Sequence, residues 1–141
     1  MKMNIHSYPV MFIIMMISGI LSSMNIWADS ISDISLSLND IYMSLLMSGW
    51  MILFMSILEI NIPVIFISIL IIVITFIAIR KQLFIGENQY LRGMIPHHSM
   101  AITMSKKLQN NEPNNKISQL LDSIIKTQRN EIEFMKKMLK M

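Results

Sequence analysis

The chain has 141 residues, room for about one domain, and is 53% apolar with a mean hydropathy of +0.52, high for a soluble protein. It contains 16 methionines and no cysteine, which excludes disulfides, zinc fingers and thiolate chemistry. Its net charge of +3 is unevenly divided: residues 1–79 set Lys2 against Asp29, Asp33, Asp40 and Glu59, whereas residues 80–141 carry eleven basic and five acidic side chains. A basic chain invites a nucleic-acid reading, but these charges fall on solvated helix faces without interleaved aromatics, and no nucleic-acid partner is expected.

The first apolar run, about residues 10–27, is long enough for a short transmembrane helix. Read as a signal peptide, it would have Lys2 as its basic head and Ile26-Trp27-Ala28 as a poor cleavage site. The bulky Trp27 suits an interfacial belt better, and a retained helix is expected. His6, near the membrane entrance, reads as interfacial rather than as a ligand. Residues 28–40, ADSISDISLSLND, are polar and acidic and predict an exposed loop, with Asn39 as the N-cap of the next helix.

The second run, 41–58, carries Met43, Met47, Met51 and Met55 at i+4 spacing, a stripe expected to pack rather than to conduct ions. Ser44 and Ser48 form a small-xxx-small pair that permits close helix approach. Glu59 to Pro63 predicts a turn, and the third run, 62–79, is nearly pure Ile, Val and Phe. At that length and without charge, a membrane helix is expected despite the β-branched content. Residues 1–83 thus read as a membrane domain of three helices. Arg80 and Lys81 favour a cytoplasmic position for the C-terminal residues beyond them. Lys2 points the other way, so the side stays open.

Residues 84–141 read as a helical hairpin domain. The spacing predicts that the third helix continues outward to Gly93, and that Pro96 opens a new helix at its first position, reaching Gln109. NNEPNN, residues 110–115, is a turn. A last helix, about 115–140, comes next, with an apolar stripe of Ile117, Leu120, Leu121, Ile124, Ile125, Ile132, Met135 and Leu139. The short loop makes the pair antiparallel.

Residues 94–104, MIPHHSMAITM, set His97 and His98 among Met94, Met100 and Met104. Imidazole and thioether together form the ligand set that copper, above all Cu(I), selects. In the first turn after Pro96 the rings would meet the positive end of the helix dipole, which favours their neutral, metal-binding form. Gln128 and Glu131 interrupt the stripe of the last helix. For a turn centred near residues 112–113, facing positions sum to about 225, which sets His97 level with Gln128 and Met94 level with Glu131. Neighbouring helical residues diverge by about 100°. One histidine would therefore face Gln128 and Glu131, while the other meets a second chain or an exposed ion with Met100 or Met104. Two readings stand: a metal pocket, or a hydrogen-bonded clasp that closes the hairpin. No ExxH or HExxH pair, nucleophile–base arrangement or glycine-rich phosphate loop is visible, so no enzyme is expected.

MIPHHSMAITM, followed by ISQLLDSIIKTQRNEIEFMKKML with its Ile124-Ile125, Gln128, Glu131-Ile132 and Met135, closely resembles the Domain of Unknown Function 305 family over about residues 84–140. The upstream spans, with the methionines of 43–55 and Arg80-x-Gln82, resemble its membrane-embedded members. The resemblance implies a ferritin-like fold and copper binding through His and Met. Carried over position by position, the ligands are Met94, His97, His98, Met100, Met104 and Met135, supported from behind by Gln128 and Glu131. The expectation is an all-α protein: three transmembrane helices, then a ferritin-like hairpin that a second copy completes into a four-helix bundle. Its partners would be a copper ion, the lipid bilayer and itself, in a multi-pass membrane location of the bacterial inner-membrane type. The rival expectation is a membrane interaction module without metal, whose hairpin self-associates or docks a partner.

Overall fold

A computed structural model describes residues 7–111 and 113–140. Lys2 and His6 lie outside the described residues. The described chain is helical, with α1 at Ser7–Leu21, α2 at Leu38–Leu58, α3 at Ile62–Lys81, α4 at Glu87–Gln109 and α5 at Asn115–Leu139. Between α1 and α2 come two 3₁₀ turns, Met24–Trp27 and Ile31–Asp33. The residues cluster into two compact units. Described residues 7–23 and 38–85 form one; Met24–Ser37 joins the described residues of 86–140 in the other. The break after Ile85 lies close to the sequence boundary at 83/84. The segment between α1 and α2, by contrast, groups with the hairpin and not with the apolar helices.

In the first unit α2 packs against both α1 and α3. Three stretches, Ser7–Trp27, Leu38–Leu58 and Ile62–Lys81, are long and apolar enough to cross a membrane. The fully buried positions of α2 and α3 are small and hydroxylic: Ser44, Ser48, Ser56 and Ser68. Each satisfies its hydroxyl within its own helix; Ser48, for example, donates to the Ser44 carbonyl at 2.7 Å. Large apolar side chains point outward, among them Ile13, Ile17, Phe66, Leu70 and Phe76. Small residues inside and apolar ones outside suit lipid, where packing rather than water exclusion holds helices together. Met43 and Met51 lie exposed on this outer surface, Met47 reaches Gly19 of α1 with its Cε, and Met55 packs against the core of Tyr8, Ile52 and Val64. The buried stripe of α2 is Ser44, Ser48, Ile52 and Ser56, one position along from the methionines.

The helix ends depart from expectation. Asn39 lies inside the first turn of α2 and does not precede it. Its side chain pairs with Gln82 at 3.3–3.4 Å. The third helix does not run on to Gly93. It stops at Lys81, because Gln82 adopts a left-handed conformation (φ 48°) while Leu83 N–H returns to the Ala78 carbonyl at 3.0 Å. Asn39 and Ile79 hold the Gln82 amide, and the Tyr42 hydroxyl donates to the Leu83 carbonyl at 2.8 Å. Gly86 then opens α4, with Glu87 in its favourable first turn. Pro96 is accordingly the tenth residue of a 23-residue helix, not its first. A proline there costs about 3 kcal/mol of helix stability. Complete burial of its ring in the second unit offsets this.

The second unit contains the expected hairpin. Asn114 caps α5 by accepting from Ile117 N–H at 3.0 Å. Leu91, Ile95, Ile102, Ile132 and Met135 form its core, with Met94, Ile125 and Leu139 against them. A third layer has no counterpart in the sequence reading. The polarity of residues 28–40 predicts an exposed loop, yet Asp33 and Ser37 are buried, and Met24–Ser37 lies across α4. Gly93, a helix end by its sequence, is instead the point of close approach; a Cβ there would stand 3.1 Å from Ser37 Oγ.

Candidate metal centre

His97 and His98 stand near the middle of α4, beyond the first turn in which the helix dipole acts. The dipole argument for neutral rings therefore does not apply. Their rings diverge as adjacent helical residues must, with centroids 6.2 Å apart and planes inclined at 67°. Each meets a different element.

His98 points toward α5. Its Nδ1 lies 2.9 Å from Glu131 Oε2, but the approach is not aligned for an N–H···O hydrogen bond. The pair is a close polar contact, and the nitrogen lacks a formal hydrogen-bond partner. The pairing is offset from the one predicted: His98, not Met94, meets Glu131. Side chains lean toward the N-terminus of their own helix, and in an antiparallel pair both leanings raise the sum of contacting positions. The level of two backbones is thus a biased guide to which long side chains touch. Gln128 is half-buried, three residues before Glu131.

His97 is exposed. Its Nδ1 lies 3.2 Å from the Sδ of Met24, in the 3₁₀ turn after α1. Two donors bound to one ion at the usual N and S distances, at a tetrahedral angle, stand about 3.5 Å apart. The observed gap is somewhat shorter, and as it stands it is a hydrogen-bond contact between the imidazole nitrogen and the thioether.

Of the remaining expected ligands, Met135 is buried in the hairpin core, and Met94, one turn before His98, packs against the same core. Met104 is exposed and Met100 half-buried on α4. Among the described residues no group of three or more His, Cys, Asp or Glu side chains is placed to hold a metal ion. His97 with Met24 is an imidazole–thioether pair in contact.

Behind that pair is a polar assembly that sequence reasoning missed. Asp33 is buried and accepts from Ser99 Oγ at 2.6 Å and from Lys136 Nζ. Ser99 Oγ in turn accepts from Asp29 N–H at 2.7 Å. Lys106 Nζ grips both oxygens of Asp29 at 2.7 Å. Two acids four residues apart in a chain half with little charge, facing a basic half, were the available signal. Met24 was hidden among sixteen methionines.

A family model described as Domain of unknown function (DUF305) matches residues 81–139. Over 142 aligned positions the chain is 50% identical to "Uncharacterized protein L153" of Acanthamoeba polyphaga mimivirus, covering 97% of this chain and 93% of that protein. No solved structure matches the chain.

Proposed function

The chain belongs to the DUF305 family, and on that premise we propose that it is a membrane-anchored binder of a soft metal ion, Cu(I) by ligand chemistry, which it buffers or delivers. The observation that carries this reading is the thioether of Met24 at 3.2 Å from the imidazole of His97. An exposed imidazole beside a sulfur offers the soft and borderline donors that Cu(I) prefers. Met100 and Met104, three and seven residues after His97, fall within about 60° of it on α4 and are the nearest candidates for a third donor. The three apolar stretches, with small residues inside and large ones outside, support three membrane spans.

Titration of the detergent-solubilised full chain with Cu(I) against a competing chelator tests this. His97→Ala is expected to weaken binding about tenfold or more. Unchanged binding in the His97→Ala/His98→Ala variant would overturn it.

A second reading has its own support. Leu120, Phe134 and Met138 of α5 are 54%, 64% and 44% exposed. A helix that leaves such a shoulder uncovered suits self-association into a four-helix bundle, or docking of a partner, without metal. That reading expects cross-linking through α5 that is indifferent to Cu(I) and to His97→Ala, and is lost in Phe134→Ser.

A further inference from the structure

The family match begins at residue 81, yet a sulfur in contact with His97 comes from residue 24. Met24 is delivered by a segment that lies across α4 and is tied to the hairpin by charge and hydrogen bonds. Ile26, Trp27, Ile31, Ile34 and Leu36 of that segment are all exposed. Fully buried apolar side chains therefore do not anchor it.

The polar contacts do. Asp33 is tied to α5 through Lys136 and to α4 through Ser99. Asp29 is tied to α4 twice, by its N–H to Ser99 Oγ and by its carboxylate to Lys106. Two acids held by ammoniums on two different helices fix both where the segment lies and which residues face the hairpin. A brace carries that position to Met24. The neighbouring Asn25 closes a two-bond amide pair with the backbone of Ser35, donating to its carbonyl and accepting from its N–H, both at 3.0 Å. Lys136, Asp33, Ser35, Asn25 and Met24 thus form a connected route from α5 to the sulfur. Half-buried ion pairs add little net stability, but they select one register among alternatives.

We infer that Met24–Ser37 is a strap that completes the metal centre: Met24 is a ligand supplied from outside the hairpin, and Asp29, Asp33, Ser99, Lys106 and Lys136 are positioning residues that hold its sulfur at His97. This deepens the soft-metal reading and rests on it.

A thermodynamic cycle separates positioning from general stabilisation. Cu(I) affinity is measured by chelator competition on the full chain in detergent, for wild type, Met24→Leu, Lys136→Met and the double variant. The strap predicts that each single change weakens binding by about tenfold or more, the usual scale for residues that orient ligands. It also predicts that Lys136→Met has no further effect once Met24→Leu is present, because its action passes through the sulfur. X-ray absorption at the copper edge should lose a sulfur scatterer in both single variants, and the charge exchange Asp33→Lys/Lys136→Asp should restore it. If Lys136→Met fails to fold, Asp29→Asn, at the exposed end of the clasp, takes its place in the cycle with the same expectation.

Wild-type protein that binds no Cu(I), or binds it independently of His97, overturns the soft-metal reading. His97-dependent binding that Met24→Leu leaves intact, or clasp and Met24 effects that simply add, overturns the strap alone.

Discussion

Asp33 sits where two opposing effects on a carboxyl meet. Burial by itself raises its pKa. The hydrogen bonds from Lys136 and Ser99, the charge of Lys136 and a weaker bond from Ser32 outweigh burial and hold the group below its ordinary 3.8. A carboxyl whose folded-state pKa is depressed stabilises the fold above its ordinary value, and that contribution disappears as pH falls through the depressed one. Fluorescence of Trp27, isolated by Trp50→Phe, should therefore be level from neutrality down to about pH 4 and change only below it. Asp33→Asn should remove that acid transition. It should also cost about 2 kcal/mol at neutral pH in chemical unfolding, since a half-buried ammonium loses its anion. A loss confined to acid pH would contradict the assignment. At this scale the sequence was half legible. His97 stood out by its chemistry, but Met24 and Asp33 have partners more than sixty residues away in the chain, and no local pattern announces such contacts.

Between elements, the contact of α1 with α2 depends on a missing side chain. A Cβ on Gly19 would fall 2.7 Å from Ser44 Oγ and 2.9 Å from Ser44 Cβ. Ser44 cannot easily yield, because its hydroxyl is bonded to the Asp40 carbonyl at 2.8 Å. Gly19→Ala should then push α1 off α2 and destabilise the unit by about 1–3 kcal/mol in detergent unfolding assays. Met43→Leu, on the exposed outer face, should change stability by less than about 0.5 kcal/mol. Equal effects of the two would refute this packing. Helix positions were legible wherever hydrophobicity or its 3.6-residue period dominated, as in α2, α3 and α5. They were illegible where tertiary contacts overrode local signals. The stop at Gln82 has no glycine or proline and depends on Asn39, which is 43 residues distant. Pro96 reads as a helix start on propensity, yet the buried environment of its ring carries α4 through it.

For the whole molecule, chain order ties topology to the site. The strap follows the first apolar helix and the hairpin follows the third, so on the proposed three-span arrangement a single out-and-back pair of spans, α2 and α3, separates them. Both then emerge on the same side of the membrane, whichever side that is. Because the chain lacks cysteine, single introduced thiols report this cleanly. Ser30→Cys and Lys116→Cys, both at exposed positions, should react with an impermeant maleimide from one common face of sealed vesicles. Labelling from opposite faces would rule out the three-span arrangement.

The junction at Trp27-Ala28-Asp29 has one more consequence. A single peptidase nick there would spare both helices of the hairpin and leave Asp29 and Asp33 with their lysines. It would nonetheless separate Met24 from the anchored acids and leave its sulfur held by the Asn25 amide and by the packing of Met24–Trp27 on α4. On the soft-metal reading, limited proteolysis at one bond would weaken metal binding while leaving both helices of the hairpin intact.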